Sequence, residues 1–197
     1  MTRKTPLIGE YGHKRREHDA YWTDEPTIAA LCDNYKLPDR IWEPACGIGN
    51  ISNYLVMRGH KVYSSDLNEH GYEKQDVTVD FLEMNIVPHG SLGIVTNPPF
   101  TLLDDFIGHA NALMRPRKGV VAILMQHQAL ATKLRKAVIN GPGFSRAVVM
   151  PRRPRWTRAG EKNTANPRKP FAWAIWDWGD WNMQRRGPNQ YGDMVVA

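Results

Sequence analysis

From Arg40 to Asp177, short runs of β-branched and aromatic residues alternate with segments of helical length, and this rhythm constrains the fold more than any other feature. Such alternation builds a mostly parallel α/β sheet with helices on both faces, because parallel neighbours need a crossover long enough to hold a helix. Seven strands are expected: Arg40 to Glu43, Lys61 to Ser65, a weaker one at Val77 to Val79, Gly93 to Thr96, Val120 to Met125, Ser145 to Met150 and Phe171 to Asp177. The last two form an expected antiparallel C-terminal hairpin. Helices are expected over Thr27 to Tyr35, Ile51 to Arg58, Leu102 to Leu113 and Gln128 to Ile139. The first follows Thr23-Asp24-Glu25-Pro26, a cap with a first-turn proline, and the third carries Leu103, Phe106, Ile107 and Ala110 on one face.

A chain of 197 residues, 42% of them apolar, suffices for one core. A single domain over residues 1–180 is expected, with a basic hairpin arm at 151–170 and an irregular tail at 181–197. No run approaches the roughly 18 to 20 apolar residues that cross a bilayer, and Met1-Thr2-Arg3-Lys4 leads into no signal core. A cytoplasmic protein without membrane contact is expected. Cys32 and Cys46 are read as reduced, structural thiols, and none of the seven histidines stands in a metal-binding spacing, so no metal is expected. His127, just past the strand Val120 to Met125, is the histidine nearest the expected ligand side of the sheet. The formal charge of +6 points to a polyanionic partner.

The segment Glu43-Pro44-Ala45-Cys46-Gly47-Ile48-Gly49-Asn50 joins an expected strand to an expected helix. Glycines in such a turn allow close backbone approach to a ligand. Ser52 stands where a dinucleotide fingerprint has a further glycine, which disfavours a nicotinamide site. About twenty residues on, the next strand ends in Asp66, where a carboxylate accepts from both hydroxyls of a ribose.

These segments resemble the Rossmann-like class I methyltransferases from Tyr21 to about Met125. Glu43 to Asn50 is similar to their first motif, Ser65-Asp66-Leu67 to the acidic end of the second, and Asp80-Phe81 to the third, which contacts the cofactor adenine. Tyr21-Trp22-Thr23-Asp24-Glu25-Pro26 resembles the motif that precedes the first in amino-methylating DNA enzymes and meets the methionine end of S-adenosylmethionine. The resemblance implies that cofactor and a cofactor-binding set of Tyr21, Thr23, Glu43, Pro44, Ala45, Cys46, Gly47, Gly49, Asp66, Leu67, Asp80, Phe81 and Asn97.

Asn97-Pro98-Pro99-Phe100 ends the strand Gly93 to Thr96, and the carboxyl ends of strands are where open α/β sheets bind ligands. An exocyclic base amine is a poor nucleophile because its lone pair is delocalised into the ring. The amide oxygen of Asn97 and the carbonyl of Pro98 can accept its two hydrogens and aim the lone pair, while fixed proline φ angles hold the acceptors ready. Phe100 can stack on the base. The tetrapeptide resembles the fourth motif of N6-adenine methyltransferases. It implies Asn97, Pro98, Pro99 and Phe100 as the catalytic set, direct in-line transfer, and no covalent enzyme intermediate.

The stretch from Pro151 onward supplies Arg152, Arg153, Arg155, Trp156, Arg158, Lys162, Arg168 and Lys169 as a candidate nucleic-acid-binding arm, with Lys14-Arg15-Arg16 as a smaller cluster. DNA is the expected partner and RNA the alternative, with the chain acting as a monomer or homodimer. The resemblance is to small phage and prophage adenine methylases, which would act in a host cytoplasm. Little follows the catalytic motifs beyond the arm and tail, where two-domain relatives carry a target-recognition region. The competing readings are methylation of a protein glutamine, against which the basic arm speaks, and a nucleic-acid-binding module without catalysis.

Overall fold

The sequence Val-Val-Ala-Ile-Leu-Met at 120–125 has no polar face, and such a run suits a strand covered on both sides. It lies at the centre of the sheet. The computed structural model describes residues 21–131, 139, 141–150, 156–158, 164–165, 169–179 and 193–197. In chain order the elements are β1 (Tyr21–Trp22), α1 (Glu25–Asn34), β2 (Arg40–Glu43), α2 (Asn50–Met57), β3 (Lys61–Asp66), β4 (Val77–Thr78), β5 (Gly93–Thr96), α3 (Leu103–Met114), β6 (Val120–Gln126), β7 (Phe144–Val149), β8 (Trp156–Arg158), β9 (Thr164–Ala165), β10 (Phe171–Asp177) and β11 (Asp193–Val196).

The main sheet runs β11-β7-β10-β6-β5-β2-β3-β4. Its pairings are parallel except at β10, which is antiparallel to both β6 and β7. The expected parallel sheet and terminal hairpin are therefore present, with eight strands in place of seven. The extra strand is Asp193–Val196, within the stretch expected to be an irregular tail. It pairs in parallel with β7 from Asp193↔Arg146 to Val196↔Val149. Four residues behind a polar stretch give little local signal; what makes a strand here is the exposed edge of β7. Residues 181–192 lie outside the described residues.

Two further differences concern the connections. The helix expected over Gln128 to Ile139 begins instead as a 3₁₀ turn, His127–Ala131, and residues 132–138 lie outside the described residues. Of the expected arm at 151–170, the described residues are 169–170 and those of β8 and β9, which pair antiparallel, Trp156↔Ala165 and Thr157↔Thr164. This pair stands off the main sheet. On its other side β8 pairs antiparallel with β1, Tyr21↔Arg158 and Trp22↔Thr157, a junction between distant parts of the chain that no local pattern announces.

Strand alternation sorts the core into two layers. Val120, Ala122 and Leu124 of β6 join Phe171, Trp173 and Ile175 of β10 on the side of α1 and α2, where Ile28, Leu31, Ile51 and Leu55 are buried. Val121, Ile123 and Met125 join Ala174 and Trp176 on the side of α3, which inserts Phe106, Ile107, Ala110 and Met114. The indoles carry their polar edges inward only where partners exist: Trp42 Nε1 donates to Ser65 Oγ at 2.8 Å and Trp173 Nε1 to the Thr27 carbonyl at 2.8 Å. Tyr35 Oη closes the far end of the same face by donating to Asp177 Oδ2 at 2.7 Å.

Truncating Ile123, fully buried in the central strand, to Ala is expected to cost about 2–5 kcal/mol in urea unfolding. Ile86→Ala, at a residue 75% exposed, should stay within about 0.5 kcal/mol of the unmodified chain.

Candidate active site

The register of the parallel strands decides where the chemistry-bearing residues meet. Ile41 and Trp42 of β2 pair with Gly93 and Ile94 of β5, and Glu43 of β2 pairs with Ser64 of β3. The carboxyl ends of the three strands thus lie side by side, and the residues that follow them (Pro44 onward, Leu67 onward, Asn97 onward) surround one cavity of about 420 Å³. That volume is in the range of small-molecule sites.

The glycine turn forms the floor. Gly47 and Gly49 have φ of +54° and +82°, a backbone region that disfavours side chains. A Cβ on Gly47 would sit 2.3 Å from the Trp22 ring, so the missing side chain is also what lets Trp22 lie over the turn. Gly47 N–H donates to Asp66 Oδ2 at 3.0 Å and Asn68 N–H to Asp66 Oδ1 at 3.0 Å, which orients the carboxylate at the cavity wall. His70 Nε2 stands 3.6 Å from Asp66 Oδ1, with its ring edge-on to Trp22 at 5.2 Å. Asp80 caps the 3₁₀ turn Phe81–Glu83 by accepting from Leu82 N–H at 2.9 Å. Beside it Phe81 is held by the rings of Trp42, Phe106 and His109.

Opposite the floor, Asn97, Pro98, Pro99 and Phe100 all line the cavity. Phe100 opens a 3₁₀ turn ahead of α3 and rests on Phe171, with ring centroids 5.7 Å apart. Thr23, 3% exposed, bridges floor and wall: its carbonyl accepts from Asn50 Nδ2 at 2.9 Å and its hydroxyl from Asn97 Nδ2 at 3.2 Å.

The lining carries three carboxyl groups, Glu43, Asp66 and Asp80, and, among the described residues, no Lys or Arg. Glu43 is buried beneath the turn, where Ser52 Oγ donates to it and in turn contacts Ser64 Oγ at 2.6 Å. Burial pushes its carboxyl well above the ordinary carboxylate range, and the Ser52 hydroxyl only partly offsets this. Burial, with Glu43 and Asp66 nearby, also pushes the Cys46 thiol upward, which disarms it as a nucleophile. Such a lining, with no Lys or Arg among the described residues, suits a cationic or neutral ligand better than an anion.

Of the residues named from sequence for the cofactor, Thr23, Glu43, Pro44, Ala45, Cys46, Gly47, Asp66, Leu67, Asp80, Phe81 and Asn97 line this cavity. Gly49 does not. It caps α2, and a Cβ there would meet the Tyr72 ring at 2.3 Å, so its missing side chain serves helix entry. Tyr21 lies on β1. Trp22, Asn50, Asn68, His70 and Phe106 also line the cavity, beyond the residues that sequence reasoning assigned to it. Trp22 and Asn50 sit inside recognised segments, whereas His70 and Phe106 carry no local signal. His127 is not among the lining residues; its backbone N–H is tied to the Pro170 carbonyl at 2.9 Å. In the arm, Trp156 and Arg158 lie on β8 and Lys169 is exposed, while Arg152, Arg153, Arg155, Lys162 and Arg168, like Lys14-Arg15-Arg16, lie outside the described residues.

The whole arrangement is similar to solved methyltransferases. The 23S rRNA methyltransferase ErmE matches with a TM-score of 0.57 at 16% identity, over 80% of this chain and 69% of that one. A type I restriction-modification methyltransferase subunit from Streptococcus thermophilus matches with a TM-score of 0.54 at 16% identity, over 92% of this chain and 51% of that one. The fold is the class I methyltransferase fold. A TehB-like SAM-dependent methyltransferase from Corynebacterium glutamicum shares it with a TM-score of 0.50 at 19% identity, over 77% of this chain and 86% of that one. The chain spans about half the length of the type I subunit. No protein-family model and no curated protein matches it by sequence. Within this methyltransferase fold the cavity lies at the carboxyl ends of the parallel strands, where open α/β sheets bind ligands.

A carboxyl whose pKa is raised by folding holds its proton more tightly in the native state. Its contribution to stability is complete below the ordinary value of 4.5 and is lost as pH climbs through the raised native value. Glu43→Gln should remove that slope. The variant is expected to match the unmodified chain near pH ~4.5 and exceed it in urea unfolding at pH ~8; parallel pH profiles would contradict the burial assignment.

Proposed function

We propose that the chain is an S-adenosylmethionine-dependent methyltransferase acting on an exocyclic base amine, with N6 of adenine in DNA as the substrate. The observation that carries this reading is that Asn97-Pro98-Pro99-Phe100 and the glycine turn Glu43 to Asn50 line the same cavity. The residues present fit the cofactor: among the described residues no Lys or Arg of the lining opposes its cationic end, and Asp66, already oriented by two backbone N–H groups, retains acceptor capacity for a ribose diol. When bound, the cofactor supplies an electrophilic methyl group on a sulfonium sulfur.

The chain's own residues do the positioning. Thr23, Asn50 and Glu43 would hold the methionine end, and Leu67, Asp80 and Phe81 the adenine end. The target base enters on the side of Phe100, where stacking contributes roughly 1–3 kcal/mol. Asn97 and the Pro98 carbonyl accept the two amine hydrogens and point the nitrogen lone pair at the methyl carbon, a gain in orientation rather than in acid–base chemistry. With the cofactor bound, the base nitrogen would take its methyl group by direct displacement at the sulfonium and release its extra proton to water, and no side chain would carry a covalent intermediate. A base in a duplex must first be flipped out at a cost of a few kcal/mol, which single-stranded substrates avoid. Arginines and lysines of the arm hold the phosphates, and pairing of β8 with β1 mounts that arm on the strand next to Thr23.

Protein incubated with cofactor and plasmid DNA, and separately with total RNA, followed by nucleoside mass spectrometry, tests the reading. N6-methyladenine in the DNA pool is expected; product in RNA alone moves the substrate, and no methylated nucleoside in either pool contradicts the proposal. Asn97→Ala should lower turnover by about 100-fold or more while leaving cofactor affinity within about threefold. Replacing Arg152, Arg153 and Arg155 with Ala should flatten the salt dependence of DNA binding, by about 0.9 in log–log slope for each phosphate that the arm no longer neutralises.

A further inference from the structure

An amide that is to accept from a substrate amine must be held in the right plane, because the terminal torsion of asparagine is broad and fixes no position of its own. In the structure Asn97 Nδ2 donates to Thr23 Oγ1 at 3.2 Å, which anchors one end of the amide and turns the other end away from Thr23. Thr23 is 3% exposed, on a segment gripped at several points. Its own carbonyl accepts from Asn50 Nδ2 at 2.9 Å, the preceding Trp22 pairs with Thr157 of β8, and the following Asp24 accepts from the Thr27 hydroxyl and caps α1. The backbone that carries the hydroxyl is therefore fixed on both sides.

We infer that Thr23 is a positioning residue for the amide of Asn97, acting through its hydroxyl, and so holds the plane of that amide for the amine. This rests on the reading of Asn97 as the residue that holds the amine. It assigns the two ends of Thr23 different work: the backbone carbonyl fastens the segment to the cofactor turn, and the side chain orients the amide across the cavity. Side-chain replacement can separate the two, because the carbonyl bond to Asn50 does not depend on the hydroxyl. Thr23 acts on the amine through Asn97 rather than by touching the base.

Thr23→Val keeps the shape and removes the acceptor, whereas Thr23→Ser keeps the acceptor. With both substrates saturating and plasmid DNA, or whichever nucleic acid accepts the methyl group, Thr23→Val should lower kcat about tenfold, and Thr23→Ser should stay within about threefold of the unmodified enzyme. Affinity for S-adenosylmethionine, measured by calorimetry in both variants, separates this fall in kcat at saturation from any loss of cofactor binding. Independently of turnover, the side-chain amide protons of Asn97, identified by their loss in Asn97→Ala, should exchange slowly by nitrogen-15 NMR in the unmodified protein and in Thr23→Ser, and faster in Thr23→Val. Unchanged kcat with unchanged exchange in Thr23→Val would overturn the inference. So would a loss of activity accounted for wholly by weaker cofactor binding. If the unmodified protein transfers no methyl group to either nucleic acid, the functional reading fails, and the exchange comparison still decides whether Thr23 orients the amide.

Discussion

Parallel pairing of β2 with β5, two residues deep at Ile41↔Gly93 and Trp42↔Ile94, is the constraint on which the rest depends. Neither the glycine turn nor the tetrapeptide has chemical meaning alone; each is a loop after a strand. Placing those strands side by side, in register and in the same direction, puts the two loops across one cavity from each other. The pairing is secured from both faces, by Ile41 and Val95 on the side of α1 and α2 and by Trp42 and Ile94 on the side of α3. Buried apolar area far from the cavity thereby fixes distances inside it.

A second tie crosses the cavity mouth. The segment Trp22–Thr23 covers Gly47, bonds Asn50 and Asn97, and continues a strand paired with β8 of the basic arm. Elements separated by more than a hundred residues therefore share one short stretch of backbone. Displacement at the arm would reach the glycine turn through this one stretch, by way of the Trp22 ring and the Asn50 side chain.

Much of this was legible because the signals were local. The strands from Arg40 to Met125 announced themselves by apolar runs, and the lining residues Glu43, Asp66, Asp80 and Asn97 by their places at strand ends. Legibility ended where structure depends on partners distant in sequence. Asp193–Val196 becomes a strand because β7 offers an edge, Tyr21–Trp22 because β8 does, and neither carries a pattern of its own. His70 enters the cavity through the course of the loop after β3, and Phe106 through the pitch of α3, so that a residue predicted only as core also forms wall. Gly49 is a glycine in a ligand-type motif that is not among the lining residues and whose backbone freedom serves the entry to α2.

The cavity should hold donor and acceptor sites in one line, and a crystal structure of the protein with S-adenosylhomocysteine and an adenine-containing oligonucleotide measures that directly. The account predicts the ribose hydroxyls on Asp66, the sulfur facing Asn97, and the target amine placed so that a methyl group on that sulfur would stand roughly 3–3.5 Å from its nitrogen. Cofactor density outside this cavity, or a base bound with its amine turned away from Asn97 and Pro98, would contradict it.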